Sequence, residues 1–182
     1  MSVWEISAGA VNDHSTLVAV DDKDVEDRIF VPNGKDKDWL SRPLAQFRSK
    51  KRGKRVLEPA DVSNFHSGVL VLDAKARAAI GGFLSRFGQL LELDVPGGFR
   101  YYFNCTNLID CVDSNASRAD EDGILILEAF DDSRVPSEPT VFKDPRTAKV
   151  RIYVNDQAKA LIEEWASEAG ISGLEIVSPD LI

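Results

Sequence analysis

Two strand–helix–strand units, one in the middle of the chain and one near its C-terminus, constrain the fold more than any other sequence feature. In the first unit, Gly68 to Leu72 (GVLVL) is predicted as a buried strand and Asp73 as a helix cap. Apolar residues then recur at helical spacing, which predicts an amphipathic helix over 73–87. Gly88 is expected to end this helix, and QLLELDV to return as a strand. The apolar stripe consists of Ala76, Ile80, Phe83, Leu84 and Phe87.

A similar unit follows near the C-terminus. Lys149 to Val154 is predicted as a strand, and Asn155 as the cap of a helix over 155–169. Gly170 is expected to end that helix, and Leu174 to Val177 to form the return strand. Several small and apolar positions coincide when the two helices are aligned. This indicates either a duplicated element or two solutions to the same packing problem.

Two glycines, Gly81 and Gly82, lie inside the first predicted helix. Each costs up to about 1 kcal/mol relative to alanine at an interior helical position. A close backbone approach would explain them.

Short β-prone segments surround the two units, and polar loops separate them. These segments are Val3 to Ile6, Thr16 to Val20, Arg28 to Val31, Arg100 to Phe103, Cys105 to Val112, Ile124 to Phe130 and Thr140 to Asp144. We therefore predict an α+β fold with a mixed or mostly antiparallel sheet and two main amphipathic helices, 73–87 and 155–169. We assign 1–60 to an N-terminal β-rich part and 61–182 to an α+β domain, and expect both to form one compact unit.

Two charged segments interrupt the N-terminal part. Asp21 to Arg28 (DDKDVEDR) is predicted as an acidic turn or rim. Residues 48–55 (RSKKRGKR) form a basic loop, which is typical either of phosphate binding or of a solvated segment. Because no aromatic residue interleaves the loop and the rest of the chain is acidic, we favour the solvated segment.

The chain is acidic, with a formal net charge of −8 at pH 7. Phosphate binding needs a concentrated positive surface, so nucleic acid is not expected as the main partner. The charge suits a basic protein partner, although solubility alone would also explain it. No apolar run approaches the roughly 18 residues of a membrane helix, and the N-terminus lacks a secretory pattern. We therefore expect a cytoplasmic protein with no membrane partner.

The two cysteines, Cys105 and Cys111, lie close together in the sequence. If their segment is a strand, the two residues lie about 20 Å apart, which is too far for a disulfide. We expect two buried, reduced thiols, with a redox pair as the alternative. A catalytic pair of either thiol with the distant His66 is a separate, less favoured hypothesis.

The sequence carries no recognisable catalytic or metal-binding signature. His14 and His66 lie outside the known local motifs of nucleophiles and metal ligands. The cysteines and histidines are not grouped and the acidic loops depart from the calcium-binding pattern, so no metal or other cofactor is expected. Asp110 and Asp113 could act as paired carboxylates. However, Asp110 lies in an apolar stretch, where bonding to backbone or to Asn107 would explain it.

From Phe99 onwards, the order of elements resembles a known family. An aromatic pair leads into YYFNCTNLIDCVDSNAS, followed by a strand, a loop, FKDP, another strand, a capped helix and GLEIV. With GVLVLDAKARAAI included, residues 65–178 resemble the immunity proteins of bacterial polymorphic toxin systems, immunity protein family 11, formerly a domain of unknown function. The most telling positions are Tyr101, Tyr102, Asn104, Asn107, Asp110, Asp113 and Ser117.

The resemblance implies a small cytoplasmic antidote, encoded beside a secreted toxin of interbacterial competition and neutralising it by tight binding. It implies no catalytic residues, and its Asp and Asn positions are expected to organise the strand-to-loop corner after Val112. We therefore expect a non-catalytic protein whose partner is a cognate toxin, with homo-oligomerisation open. A small carboxylate-dependent enzyme and a non-catalytic regulatory or scaffolding protein are the alternatives.

Acidic loops are our candidates for the toxin-binding surface, because they would complement a basic toxin such as a nuclease. The loops Asp113 to Gly123 and Asp131 to Pro139 come first, and Asp21 to Asp27 second. Interfaces also depend on a few aromatic or arginine anchors; Trp39 is such a candidate, whereas Trp4 is expected in the core. The predicted contact residues are Asp120, Glu121, Asp122, Asp131, Asp132, Glu138, Asp21, Asp22, Asp24 and Trp39.

Overall fold

The computed structural model describes residues 2–9, 13–48, 51–52, 55–121 and 125–179. The strands are β1 (Val3–Ala8), β2 (Thr16–Ala19), β3 (Ala45–Arg48), β4 (Lys51–Arg52), β5 (Arg55–Val56), β6 (Val62–Ser63), β7 (Leu70–Leu72), β8 (Gly88–Val95), β9 (Gly98–Cys105), β10 (Arg118–Ala119), β11 (Leu125–Leu127), β12 (Val141–Phe142), β13 (Tyr153–Asn155) and β14 (Leu174–Val177). The acidic helix is Asp22–Glu26, and the C-terminal helix is Asp156–Ala169. Between them, the π-containing helix is built from Ala74–Ala76, Arg77–Gly81 and Gly82–Leu84.

Two four-stranded antiparallel sheets form the framework of these described residues. The strand order is β12-β13-β1-β14 in the first sheet and β6-β7-β9-β8 in the second. In the first sheet β1 is an interior strand, because Glu5 lies opposite Tyr153 on one side and Val177 on the other. The predicted α+β fold with a mostly antiparallel sheet is confirmed. The proposed division at residue 60 stays a prediction.

The main hydrophobic core lies between the two sheets and the two longer helices. Alternation along β1 places Ile6 in this core and Glu5 on the opposite face of the sheet. The two helices meet through Phe83 and Trp165, whose ring centroids are 5.5 Å apart. Other fully buried members of the core are Leu70, Leu72, Ile80, Leu84, Phe103, Ile152, Val154 and Ile162. None of the described helices is long and apolar enough to cross a membrane.

Both predicted helix caps are confirmed. Asp73 Oδ1 accepts a hydrogen bond from Ala76 N at 2.8 Å, and Asn155 Oδ1 accepts one from Ala158 N at 3.0 Å. Each side chain thus satisfies an amide that has no partner within its helix. Gly170 ends the C-terminal helix with a left-handed φ of 62°, as predicted.

The π-containing helix is shorter than the predicted helix 73–87. It ends at Leu84, and Gly88 begins β8 instead of following the last helical turn directly. A Cβ at Gly81 would lie 3.0 Å from Arg77 Cγ and 3.3 Å from Leu90 Cδ1, so side chains and not backbone approach this glycine closely. At Gly82 no described atom lies within 4 Å of a Cβ, so packing does not explain this second glycine.

Three predicted segments differ in the structure. The strand predicted at Arg28 to Val31 is wrong: these residues follow the acidic helix in turns, and Arg28 has a φ of 55° that extended backbone does not allow. Asp21 to Arg28, predicted as a turn, contains the acidic helix. The extended segment predicted at Cys105 to Val112 ends at Cys105, because Thr106 N turns to bond Phe87 O at 3.0 Å.

The basic loop 48–55 is only partly described. Lys51–Arg52 pairs antiparallel with Arg55–Val56, so two short strands occur where a solvated loop was predicted. Residues 49, 50, 53 and 54 lie outside the described residues.

Candidate functional site

The 64–68 turn between β6 and β7 is held firmly on two sides. On one side, Asn64 O accepts the amide of Leu17 at 2.9 Å. On the other side, Gly68 has a φ of 70°, and a Cβ there would lie 2.9 Å from the carbonyl carbon of Val150. Glycine therefore allows both the left-handed backbone and the close approach to the 150–151 backbone.

Lys143 anchors this turn from the interior. Its side chain is completely buried, and its Nζ donates to Gly68 O at 2.8 Å, Ala148 O at 2.7 Å and Arg151 O at 3.0 Å. Burial lowers the pKa of this amine to about 8, while the nearby Cys105 and Glu5 act in the opposite direction. One buried side chain thus ties the 64–68 turn to the segment that leads into β13.

A cavity of about 340 Å³ opens between this turn and the outer face of the first sheet. Strand register explains why two carboxylates line it. Glu5 and Ser7 are two residues apart in β1 and share one face of the sheet, and Glu175 lies opposite Ser7 on β14. Both carboxylates therefore point to the same face. We call it the acidic cavity. Its lining combines polar and aliphatic side chains: Glu5, Ser7, Ala8, Asn64, His66, Ser67, Gly68, Val69, Val150, Glu175 and Val177.

Glu5 is the buried charge of the acidic cavity, with only 8% of its surface exposed. Its Oε2 accepts a hydrogen bond from Arg151 Nη1, and Arg151 Nε lies 2.9 Å from Glu128 Oε1. Burial raises the pKa of Glu5, Arg151 opposes that rise, and the repulsion of Glu175 adds to it. Among the described residues, the hydrogen bond from Arg151 reaches Oε2 and none reaches Oε1.

A second cavity, of about 390 Å³, lies beside the first and shares His66 and Ser67 with it. We call it the apolar cavity; it is lined by Asp24, Val25, Arg28, Phe30, Val31, Pro32, His66, Ser67 and Lys149. The His66 ring lies 4.5 Å from the Phe65 centroid and 6.0 Å from that of Phe30. Burial lowers the pKa of His66, so its imidazole is neutral at pH 7.

The acidic helix forms one rim of the apolar cavity. Asp21 Oδ1 caps it by accepting the amide of Lys23 at 2.8 Å, and Asp24 and Val25 line the cavity itself. Arg28 follows in a left-handed conformation that costs a non-glycine residue about 1 kcal/mol. The two cavities and the acidic helix together are called the His66 face below.

The predicted contact residues of the acidic helix, Asp21, Asp22 and Asp24, thus lie on the His66 face. Asp21 and Asp22 are exposed, and Asp24 is half-buried at the rim of the cavity. The structure therefore places carboxylates beside an exposed apolar side chain, Val25, which has 52% of its surface exposed.

The other predicted acidic residues belong to a different part of the surface. Asp131 closes its own turn, accepting the amide of Ser133 at 3.0 Å and pairing with Arg134 at 3.2 Å. Asp132 lines a separate cavity next to Trp4. None of the five cavities described combines residues of the 131–138 loop with residues of the acidic helix.

Of the four remaining predicted contact residues, three are exposed and one lies outside the described residues. Asp120 and Glu121 are exposed, Glu138 is also exposed, and Asp122 lies outside the described residues. Their role in binding stays a prediction, and none of them lines one of the five cavities.

Trp39, the predicted aromatic anchor, is half-buried and packs inward. Its ring lies 5.7 Å from Phe30 and 5.1 Å from Tyr102, measured between centroids. The neighbouring Leu40 is 96% exposed instead. Trp39 therefore supports the core under the His66 face through Phe30, and sequence reasoning missed the exposed leucine beside it.

Asp110 is an ion-paired surface carboxylate. It is exposed, binds Arg146 Nη1, and lies 3.3 Å from Arg134 Nη1. The hydrogen bond from Arg146 lowers its pKa, so it stays ionised. The expectation that Asp110 bonds to backbone or to Asn107 is wrong. Neither Asp110 nor Asp113 lines any of the five cavities.

The polar residues singled out by the resemblance hold loops in place. Asn107 Nδ2 donates to Val141 O at 2.9 Å, and Asp113 Oδ1 accepts the amide of Asn115 at 2.8 Å. The corner before Val112 depends on a residue that the sequence did not single out, Asp144. This fully buried carboxylate accepts the amides of Cys111 and Val112 at 2.9 and 2.8 Å.

Both cysteines are free and buried, as predicted. Burial raises the pKa of Cys105 to about 11 and that of Cys111 to about 12. Neither is therefore a thiolate at neutral pH, the form that attacks an electrophile or binds a metal. Within the described ranges, no group of three or more His, Cys, Asp or Glu residues is placed to hold a metal ion.

Sequence reasoning missed the acidic cavity because its residues are far apart in the chain. Glu5 and Glu175 are each the one charged residue of their strands, which was the available signal. Their proximity depends on the pairing of β1 with β14, and local patterns do not reveal that pairing.

Comparison with known proteins adds no identification: no family model matches the chain, and no curated protein matches it.

Proposed function

We propose that this chain is an immunity protein, which binds a cognate bacterial toxin through the His66 face and neutralises it. The observation that carries the proposal is the pair of adjacent cavities joined by His66 and Ser67. Exposed Val25 and Val150 stand beside them, with 52% and 49% of their surfaces exposed. Apolar pockets that receive anchors from a partner are where interfaces concentrate their binding energy.

Charge favours a basic partner. The chain carries a net charge of −8, and the His66 face adds Glu5, Glu175 and the acidic helix around its cavities. Opposite charge across an interface accelerates association and selects the partner. A toxin that binds nucleic acid would present the positive surface that this face complements.

Rigidity of the 64–68 turn also suits tight binding. Lys143 holds the turn from below with three hydrogen bonds, and Gly68 packs against the 150–151 backbone. A surface that is already ordered before binding loses less conformational entropy when the complex forms.

The test is co-purification of the chain with the product of the gene beside its own, followed by measurement of the affinity by calorimetry. Val25→Asp places a charge at the apolar cavity and should weaken binding at least tenfold, since hot-spot changes cost about 1.4 kcal/mol or more. Ile126→Asp is the matched control, because Ile126 is 43% exposed and lines none of the five cavities. Equal affinity of both variants would remove the His66 face from the interface.

A further inference from the structure

The acidic cavity has the chemistry of a receptor for a single basic side chain. Its volume of about 340 Å³ lies at the low end for ligand pockets, which run from about 300 to 1,000 Å³. Glu5 and Glu175 supply carboxylates, and Ser7 and Ser67 supply hydroxyl oxygens that can accept hydrogen bonds. Such a set fits a group that only donates hydrogen bonds.

Aliphatic side chains form part of the cavity wall. Ala8, Val69, Val150 and Val177 contribute these walls. Lysine and arginine carry a long methylene stem below a charged head, and they bury that stem along apolar surface. The cavity therefore matches both halves of such a side chain.

Glu5 gives the second, independent observation. The residue is more than nine-tenths buried and lines the cavity, yet only its Oε2 is bonded, to Arg151. No hydrogen bond from a described residue reaches its Oε1, and this oxygen is not among the fully enclosed side-chain atoms without a partner. It is therefore open to the cavity, where an incoming ammonium or guanidinium group would donate a charge-assisted hydrogen bond to it.

The other charges around Glu5 leave room for such a cation. Arg151 is shared between Glu5 and Glu128, while Glu175 forms no ion pair with the described residues. Lys143 donates all three of its hydrogen bonds to backbone carbonyls and not to Glu5. The neutral His66 adds no positive charge at pH 7.

We infer that the acidic cavity receives a lysine or arginine side chain from the partner protein, bound between Glu5 and Glu175. This inference rests on the proposed function for the identity of the partner. The cavity itself can be tested on the isolated chain, so that failure of one claim is distinguishable from failure of the other.

The experiment is an NMR titration of the ¹⁵N-labelled chain with Nα-acetyl-lysine methylamide and Nα-acetyl-arginine methylamide, compared with the norleucine analogue. At least one cationic probe should give saturable shifts at the amides of Ser7, Ser67 and Gly68, and norleucine should give none. Glu175→Lys should weaken that binding at least tenfold, whereas Glu168→Lys, the same change at another exposed glutamate on the C-terminal helix, should leave it unchanged. Equal shifts with norleucine, or no saturable binding of either cation, would overturn the assignment.

The same two variants separate the cavity from the proposed function. If the partner is a toxin, Glu175→Lys should reduce its affinity at least tenfold relative to Glu168→Lys. Unchanged toxin affinity of Glu175→Lys would refute the role of the cavity in the complex. A chain that binds the cationic probe but no toxin would keep the cavity and refute the immunity function.

Discussion

Buried titratable side chains carry much of the local order around the His66 face. Lys143 and Asp144 are consecutive and both completely buried, yet they act in opposite directions. Lys143 donates to the carbonyls that support the 64–68 turn, while Asp144 accepts the amides of Cys111 and Val112. Each satisfies backbone groups that would otherwise be buried without partners.

Cys105 makes stability depend on pH in the alkaline range. Burial raises the pKa of its thiol from 9.0 to about 11 in the folded chain. Its contribution is therefore fully present below pH 9 and is lost as the pH rises towards 11, because the unfolded chain releases the proton first. The loss should reach about 1.3 kcal/mol between pH 8 and pH 10.

Denaturant unfolding of wild type and Cys105→Ala at these two pH values measures that contribution. The variant is less stable throughout because it loses core volume, but its free energy of unfolding should change by about 1.3 kcal/mol less in the alkaline direction. Parallel pH profiles for the two proteins would contradict the buried-thiol account.

At the scale of elements, the two helix caps differ in the number of hydrogen bonds that their side chains make. Asp73 caps the π-containing helix through the amide of Ala76. Asn155 caps the C-terminal helix and also joins it to the preceding loop. Its Oδ1 accepts from Thr140 N at 3.2 Å, and its Nδ2 donates to Pro136 O at 2.8 Å and Glu138 O at 2.7 Å.

Removal of the two caps should therefore have unequal costs. Asp73→Ala should lower the free energy of unfolding by about 1 kcal/mol, the usual value for an N-cap. Asn155→Ala should cost about 3 kcal/mol, because it also leaves buried loop groups without hydrogen bonds. Urea denaturation of both variants measures the difference. Equal costs would show that the bonds from Asn155 to the 136–140 loop contribute nothing to stability.

Local patterns in the sequence predicted where the helices and strands lie better than they predicted how the strands pair. The strands at Val3, Leu70 and Leu174, the caps Asp73 and Asn155 and the stop at Gly170 depend on neighbouring residues, and all are found. The placement of β1 between β13 and β14 depends on residues about 150 positions away, which no local pattern encodes. Arg28 to Val31 shows the same limit, since tertiary packing overrode its β propensity.

The candidate site was predictable only where it consists of a continuous segment. The acidic helix could be named from DDKDVEDR because its carboxylates are neighbours in the chain. The acidic cavity combines β1, the 64–68 turn and β14, so its two glutamates come together only in the folded sheet. The inward position of Trp39 was not predictable, because the neighbouring residues in the sequence do not indicate that its ring packs on Phe30 and Tyr102.

At the scale of the whole molecule, the N-terminal and C-terminal parts jointly form the His66 face. β1 and the acidic helix come from the first part of the chain, and β14 and Lys149 from the last. The surface therefore exists only when the first sheet is assembled. This arrangement suits a partner that recognises the folded chain and not a linear segment of it.

Neutralisation of a toxin by binding is the function proposed for this chain. The most direct measurement is growth of a host that expresses the product of the neighbouring gene, with and without this chain, combined with isolation of any complex. We expect that the neighbour alone kills, that the chain restores growth through a stable complex, and that Val25→Asp rescues less well than Ile126→Asp. A harmless neighbour, or rescue without a physical complex, would contradict it.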